Sequence, residues 1–283
     1  MAARFENYRK AGRTVYVRRD LDGGGFAESF VSGFEDLMRG FSFEQIRSSR
    51  FASVWRFELP LGGGLRTAYL KRYFPRSVAD HIKHLFRPGR AERAFRAALM
   101  LEASGFATPP VLAAAFGRGL GSHREQVLAT AGAEGALPVH RWLEQNNSDR
   151  VRALRFKRRL IRAFGAEIGR LHNAAIFHGD LRVGNILAKP DGGSWDFYFL
   201  DNERSRKFRR LRWYYRVKNL VQVNMHREDV TDTDRMRFFR AYFAQSGLDR
   251  RKSRALARTV AAKTTRRLKK RCQDPFFAAR KGS

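Results

Sequence analysis

The sequence predicts an α+β fold of two lobes, a small β-rich N-terminal lobe followed by a mainly helical C-terminal lobe. Residues 51–59 and 65–74 alternate apolar and polar side chains around three consecutive glycines, which is typical of a β-hairpin. Residues 151–172 and 233–245 instead carry apolar side chains at the spacing of amphipathic helices. With 283 residues and 43% hydrophobic content, the chain is long enough to give each lobe its own core.

Four segments are expected along the chain. They are a peripheral N-terminal extension at 1–40 with a short strand at 14–18, the N-lobe at 41–130, the C-lobe at 131–249, and a basic C-terminal helix and tail at 250–283. Within the N-lobe, residues 90–104 have the apolar spacing of a helix that ends at Gly105. Residues 126–131 predict a strand, and a further helix is expected to start within 137–143.

Two motifs in the middle of the chain have the spacing of a phosphoryl-transfer site. The first, HGDLRVGNIL at 178–187, places Asp180 five residues before Asn185. The second, FYFLDNE at 197–203, places Asp201 after an apolar run. This pattern fits the catalytic loop and the metal-binding strand of a kinase.

The segment between the two motifs supports this assignment. A strand at 186–187, a turn at 191–193 and a second strand at 195–200 predict a hairpin that brings Asp201 beside Asn185. Phosphoryl transfer needs a carboxylate to orient the attacking hydroxyl and oxygen ligands for Mg²⁺ between the phosphates. We therefore predict that Asp180 is catalytic, that Asn185 and Asp201 bind metal, and that ATP and Mg²⁺ are the cofactors.

The N-lobe offers candidate residues for the nucleotide phosphates. Lys71, in the run AYLKRYF, lies where a kinase carries the lysine that pairs with the α and β phosphates. The turn before the lysine strand contains no glycine, and we expect Ser49 and Ser53 to present amides and hydroxyls there. Glu92, on the predicted helix, is the candidate acid partner of Lys71.

The chain is strongly basic, with 57 Lys and Arg against 27 Asp and Glu, a net charge of +30 and a pI near 11.4. Such a chain is attracted to nucleic acid, to an anionic membrane surface or to a phosphorylated substrate. Residues 150–162 carry 7 basic residues, 204–218 carry 8, and 250–271 carry 11 with no acid. The interleaved residues of the second run could sit in the headgroup region of a membrane or pack within the lobe, and packing is favoured: Phe208, Leu211, Trp213 and Tyr214.

Cysteine usage and hydropathy bear on the cellular compartment. The single cysteine, Cys272, rules out an intramolecular disulfide, and the first residues lack the charged, apolar and small-residue regions of a secretory leader. The longest apolar runs are far shorter than the 18 or so residues that a spanning helix requires. We therefore expect a cytoplasmic protein without a transmembrane helix.

With these residues in place, the chain resembles the lipopolysaccharide core kinases, the family of bacterial Kdo and heptose kinases. The similarity covers residues 48–243 and includes the segments SRFASVWRFEL, AYLKRYF and AERAFRAALMLEASGFATP. It implies a protein-kinase-like fold and the use of ATP and Mg²⁺ to phosphorylate a sugar hydroxyl of the lipopolysaccharide inner core. It also implies that Asp180 is the catalytic aspartate, that Asn185 and Asp201 bind metal, and that Lys71 binds phosphate.

The motifs differ from those of regulated protein kinases. The metal motif reads Asp-Asn-Glu, no Ala-Pro-Glu follows it, and Gly179 stands where many protein kinases have an Arg that meets a phosphorylated loop. These differences favour a small or lipid-borne hydroxyl as acceptor. The resemblance then implies a lipopolysaccharide core or lipid A glycolipid acceptor, and a peripheral location at the cytoplasmic face of the bacterial inner membrane. The basic runs would face the anionic surface, and no specific nucleic acid partner is expected.

Three alternatives remain. A kinase-like enzyme could take a protein or a free small molecule as acceptor, although a site for cationic antibiotics should be acidic. A nonenzymatic protein with a decayed kinase fold could bind nucleic acid or another polyanion, which leaves the surviving motif residues unexplained. Metal catalysis through His81 and His84 is the weakest alternative, because two histidines at that spacing lack a nearby third ligand.

Overall fold

The computed structural model describes residues 4–10, 12–21, 24–74, 88–117, 125–144 and 150–273. Strands dominate the first part of the described chain and helices the second, so the α+β prediction is confirmed. The chain divides into two compact units, here termed the N-terminal unit (Met1–Glu134 with Asp201–Arg204) and the C-terminal unit (Gly135–Leu200 with Ser205–Ser283).

The N-terminal unit is built on a seven-stranded antiparallel sheet. Its strands are β1 (Phe5–Lys10), β2 (Arg13–Arg18), β3 (Glu44–Ser49), β4 (Ala52–Leu61), β5 (Gly64–Tyr73), β6 (Val111–Gly117) and β7 (Gln126–Ala131). They lie in the order β1-β2-β6-β7-β5-β4-β3. β4 and β5 form the predicted hairpin, and Gly62 and Gly63 in its turn have φ of 59° and 80°. Glycine adopts such values without steric cost, which is why the glycine run makes the turn.

Two short helices cover one face of this sheet. They are α1 (Phe26–Ser32) and α2 (Phe34–Gly40), and they bury Phe26, Phe30 and Leu37 in the same apolar cluster as residues of β2, β4 and β5. The prediction that residues 1–40 are peripheral is therefore wrong. β2 pairs with β6 inside the sheet, and the helices after it supply aromatic side chains to the core.

A longer helix covers the opposite face. α3 (Arg90–Glu102) buries Ala91, Ala94 and Phe95 against a second apolar cluster that includes Phe116. Successive side chains of a strand point to opposite faces, and alternate residues of β6 accordingly belong to the two clusters. The helix matches its sequence prediction closely and places its first turn near the end of β5, through the contacts of Arg90 described below.

The C-terminal unit is mainly helical. Its helices are α4 (Val139–Glu144), α5 (Arg150–Asn173), α6 (Trp213–Asn224), α7 (Asp232–Gln245) and α8 (Arg250–Cys272). α5 and α7 approach so closely that a Cβ atom at Gly165 or Gly169 would overlap backbone oxygens of α7. α7 begins with a capping box in which Thr231 and Asp234 bond each other's backbone amides, an arrangement that contributes about 1 kcal/mol.

Two small sheets complete this unit. One contains β8 (Leu137–Pro138), β10 (Ile186–Asp191) and β11 (Ser194–Phe199), and the other pairs β9 (Ile176–Phe177) with β12 (Arg206–Lys207). None of the helices in the described ranges combines the length and the apolar composition that crossing a membrane requires.

Candidate active site

The hairpin of β10 and β11 fixes the spacing of the two sequence motifs. Ile186 at its start pairs with Phe199 at its end. Just outside the hairpin, the amide of Leu200 donates a hydrogen bond of 2.9 Å to the carbonyl of Asn185. Asp201 is the next residue along the chain, so backbone pairing holds the second motif in register with the first.

Asp180 is held within its own loop by two neighbouring side chains. The amide nitrogen of Asn185 donates to Oδ2 of Asp180 at 3.2 Å and to the Asp180 carbonyl at 3.0 Å. The guanidinium of Arg182 forms an ion pair of 2.9 Å with the same carboxylate, whose side chain is 29% exposed. The carboxylate is therefore oriented yet accessible.

Two polar side chains of α6 hold the backbone of this loop. Gln222 donates to Oδ1 of Asp180 at 3.3 Å and accepts from the amide of Leu181 at 3.2 Å. Asn219 accepts from the amide of His178 at 3.2 Å and donates to Gln222 at 3.1 Å. Because positions i and i+3 lie on one helix face, a single turn of α6 fixes the loop on both sides of Asp180.

The side chain of Asn219 is in turn contacted by a buried histidine. The ring of His172 lies 3.2 Å from Oδ1 of Asn219 and 2.9 Å from the hydroxyl of Tyr242, and its side chain is fully buried. Burial, helped by the nearby charge of Arg216, lowers the pKa of His172 to about 3. The imidazole is therefore neutral near pH 7, and it connects α5, α6 and α7 rather than transferring protons.

In the N-terminal unit, the structure brings Lys71 and Asp201 together as an ion pair. Burial alone would lower the pKa of Lys71, but the opposing effects of Tyr73, Asp201 and Glu203 outweigh it and the pKa is raised. The ammonium therefore stays charged at neutral pH. Asp201 itself has φ of 54°, a left-handed conformation that costs a non-glycine residue on the order of 1 kcal/mol or more and is common at functional sites.

Arg90, the first residue of α3, connects three parts of the N-terminal unit. Its Nε donates to Glu203 at 2.8 Å and its Nη1 donates to the carbonyl of Phe51 at 2.7 Å. Its guanidinium also lies 4.9 Å from the ring centre of Tyr73. Arg90 thus ties the helix to the segment that contains Asp201 and to the turn between β3 and β4.

The turn between β3 and β4 is closed by one of the predicted serines. The hydroxyl of Ser49 accepts from the amides of Phe51 and Ala52 at 3.3 Å and 3.1 Å, and donates to the Ala52 carbonyl at 3.0 Å. These bonds let the Ser49 side chain close the turn without a glycine. Ser53 is buried at the start of β4, and its hydroxyl is less accessible than that of Ser49.

The expected pairing of Glu92 with Lys71 is not what the structure shows. Glu92 is buried on α3 and forms an ion pair of 2.6 Å with Arg96, one helical turn further on. The carboxylates that act on Lys71 are those of Asp201 and Glu203. Arg90, the first residue of the same helix, forms an ion pair with Glu203, and this pair holds the Glu203 carboxylate near Lys71.

The profile of the lipopolysaccharide kinase (Kdo/WaaP) family matches residues 46–242, well over half of the chain. The chain belongs to this family. Among solved structures, WaaP in complex with acyl carrier protein is similar with a TM-score of 0.61 and 19% identity, over 90% of this chain and 98% of that chain. At this identity the similarity shows the fold. A comparison with curated proteins finds no match.

Kdo/WaaP family members are kinases that phosphorylate sugar hydroxyls of lipopolysaccharide, so this protein is a lipopolysaccharide core kinase, and membership implies the use of ATP. The side chains fit a magnesium nucleotide better than a resident metal. Across the described ranges, no group of three His, Cys, Asp or Glu could hold a metal ion. Mg²⁺ in kinases takes one or two protein oxygens and completes its shell with phosphate and water, so a single carboxylate such as that of Asp201 is chemically suited to contribute one ligand. His81 and His84 lie outside the described residues.

Three residues that contact the predicted motifs within their own units were not identified from the sequence. Arg90, Asn219 and Gln222 act through hydrogen bonds to residues roughly 40 or more positions away. A signal for the last two was present, because they lie among the apolar residues of the segment NLVQV at 219–223. Polar side chains within an apolar helix face are usually hydrogen-bonded to a specific partner.

Replacing Gln222 with Leu should lower kcat by about 10- to 100-fold with little change in KM for ATP. Asp180 and Leu181 would each lose a hydrogen bond that positions the loop, whereas Lys71 and Asp201 are untouched. Steady-state kinetics with Gln245→Leu, an exposed glutamine of α7, as control would measure this. An unchanged kcat, or an equal loss in both variants, contradicts a positioning role for Gln222.

The stability of the C-terminal unit should fall with decreasing pH because of His172. The unfolded chain protonates this imidazole near its ordinary pKa of 6.5, whereas the folded chain keeps it neutral down to about 3. Unfolding therefore takes up a proton below pH 6.5, and the free energy of unfolding decreases by roughly 1.4 kcal/mol per pH unit. Urea unfolding between pH 7 and 5 should show a smaller slope in His172→Gln than in the wild type. Equal slopes in the two proteins contradict the assignment.

Proposed function

We propose that this lipopolysaccharide core kinase transfers the γ-phosphoryl group of ATP, with Mg²⁺, to a hydroxyl of Kdo or heptose in the inner core. In this proposal Asp180 is the catalytic residue, Asn185 and Asp201 are the metal ligands, and Lys71 with the Ser49 turn binds the phosphates. The enzyme acts as a peripheral protein at the cytoplasmic face of the inner membrane, where its glycolipid acceptor is exposed.

The observation that carries the proposal is the ion pair of Lys71 and Asp201, which are 130 positions apart in the chain. A lysine ammonium beside a carboxylate is the pairing that a kinase needs at the triphosphate, since one binds phosphate oxygens and the other binds the metal. Before nucleotide binds, the two charges neutralise each other. Arg90 and Glu203 hold the same segment in place and support this arrangement.

The proposed chemistry is an in-line displacement at phosphorus. Asp180 accepts a hydrogen bond from the acceptor hydroxyl and orients its oxygen toward the γ-phosphorus. A bond forms from this oxygen to phosphorus while the bond from phosphorus to the β,γ-bridging oxygen breaks, and ADP leaves. The hydroxyl proton passes to Asp180 and then to solvent. Bound Mg²⁺ would supply positive charge to the phosphates as the leaving group develops.

An acidic acceptor is supported by the charges near the catalytic loop. Arg182, which contacts Asp180, has a side chain that is 65% exposed and able to meet a negatively charged group. The run that follows the metal motif also keeps its cations in solvent, and these are Arg206, Lys207, Arg209, Arg210 and Arg212. Kdo carries a carboxylate and phosphorylated heptose carries phosphate, so both candidate acceptors fit this charge.

The proposal predicts loss of phosphate transfer from labelled ATP to purified core glycolipid in Asp180→Asn and Asp201→Ala. Each change should lower the rate by at least about 1,000-fold, because one removes the group that orients the hydroxyl and the other removes a metal ligand. Asp196→Asn, an exposed carboxylate on the same hairpin, is the matched control and should keep full activity.

Transfer that survives both substitutions would place the activity elsewhere in the chain. Mass spectrometry of the product identifies the phosphorylated sugar and distinguishes Kdo from heptose. Transfer to a protein or to a free sugar, with none to core glycolipid, would favour the alternative acceptors instead.

A further inference from the structure

The last helix of the chain carries two different stripes along its length. Ser253, Leu256, Val260 and Thr264 are buried at a spacing of three or four residues, so this stripe packs against the C-terminal unit. A second stripe consists of four exposed cations at positions i, i+3, i+4 and i+7, and these are Lys263, Arg266, Arg267 and Lys270. One side of α8 therefore packs against the C-terminal unit, and another side is exposed and strongly cationic.

These four cations line an open groove of about 460 Å³ between α6 and α8, here termed the α6–α8 groove. Lys218 of α6 adds a fifth positive charge, and Val217 and Val221 form an apolar floor. Among the described residues that line the groove, none is acidic. The groove is thus a concentrated positive surface with an apolar base.

Folding alone does not account for this charge. Like charges at i and i+4 on a helix destabilise it by a few tenths of a kcal/mol per pair, and the groove contains two such pairs. Cations near a helix C-terminus interact favourably with the helix dipole, but that benefit is confined to the last turn. It covers Lys270, and Lys218 lies 5.3 Å from the ring centre of Phe177, but Lys263, Arg266 and Arg267 are left without a structural reason.

An exposed aromatic side chain stands at the rim of the same groove. Tyr214 lines the groove and is 60% exposed, although the sequence predicted that it would pack within the lobe. Phe208 and Leu211 do pack, since Phe208 stacks on Tyr215 at 5.0 Å and Leu211 is buried. Exposed Tyr beside Lys and Arg is the composition of surfaces that sit at the headgroup level of a membrane.

We propose that the α6–α8 groove docks the protein on an anionic membrane by binding the phosphate groups of lipid headgroups. The five cations meet the phosphates, while Tyr214 and the valine floor contact the region where headgroups join acyl chains. Charge complementarity, together with the apolar floor, favours this occupant over nucleic acid. The inference rests on the proposed function in one respect, because a lipid-borne acceptor requires the enzyme to work at a bilayer.

The test compares two variants that each remove four positive charges from exposed helix positions. The groove variant carries Gln in place of Lys263, Arg266, Arg267 and Lys270, and the control variant carries Gln in place of Arg152, Arg155, Arg158 and Arg162 on α5. Affinity is measured by co-sedimentation with vesicles that contain phosphatidylglycerol. Each headgroup-bound cation contributes roughly fivefold in affinity, so the removal of four should weaken binding by roughly 600-fold in the groove variant, whereas the control variant should lose only a few-fold.

The single cysteine provides a second readout in the full chain. Cys272 is exposed at the end of α8, two residues beyond Lys270, so an environment-sensitive fluorophore can be attached there. Its emission should shift to the blue with phosphatidylglycerol vesicles, and it should not shift with neutral phosphatidylcholine vesicles or with duplex DNA. The groove variant, labelled at the same position, should show no shift.

Several outcomes would overturn the inference. Equal losses in the groove and control variants would show that the net charge of the whole protein drives binding, and no loss in either would show that this groove is not used. A shift with DNA, or groove-dependent binding to an acidic protein in place of vesicles, would identify another occupant. Transfer to a deacylated, water-soluble core acceptor separates the two proposals: the groove variant should retain it, and Asp180→Asn should not.

Discussion

The ion pair between Lys71 and Asp201 is the contact on which the candidate site depends. It joins two residues of the N-terminal unit that lie 130 positions apart in the chain. The left-handed backbone of Asp201 costs energy, and neighbouring contacts offset it. Asn202 donates to Thr108 at 2.9 Å and Glu203 binds Arg90 at 2.8 Å, so the segment is anchored directly after its bend.

In the C-terminal unit, hydrogen bonds must hold Asp180 in one orientation without burying its side chain. A chain of three polar side chains achieves this, from His172 to Asn219 and from Asn219 to Gln222, and the first two of them are fully buried. Buried polar networks stabilise a structure only when each member is satisfied, because an unpaired group costs about 1 to 3 kcal/mol. The same property makes the loop sensitive to changes outside it and explains why α6, remote in sequence, bears on catalysis.

The features that local patterns encode were predicted well from the sequence. The hairpins at β4–β5 and β10–β11, the helix α3 and the long helix α5 follow from glycine turns and apolar spacing within one segment. The family resemblance, the kinase activity and the fold are confirmed by the comparisons. The features that were missed depend on contacts between distant segments. No periodic pattern in the sequence indicates the core role of residues 1–40, the pairing of Glu92 with Arg96 or the contacts of Arg90.

The most direct test of the account is calorimetric titration of the full-length protein with magnesium ATP. Wild type and Asp180→Asn should bind with similar affinity, because Asp180 is assigned to the acceptor hydroxyl, whereas Lys71→Met and Asp201→Ala should each bind at least about 30-fold more weakly. Binding by the wild type that persists in both of the latter variants, or no binding by the wild type, would contradict the central claim that the Lys71–Asp201 pair marks the nucleotide site.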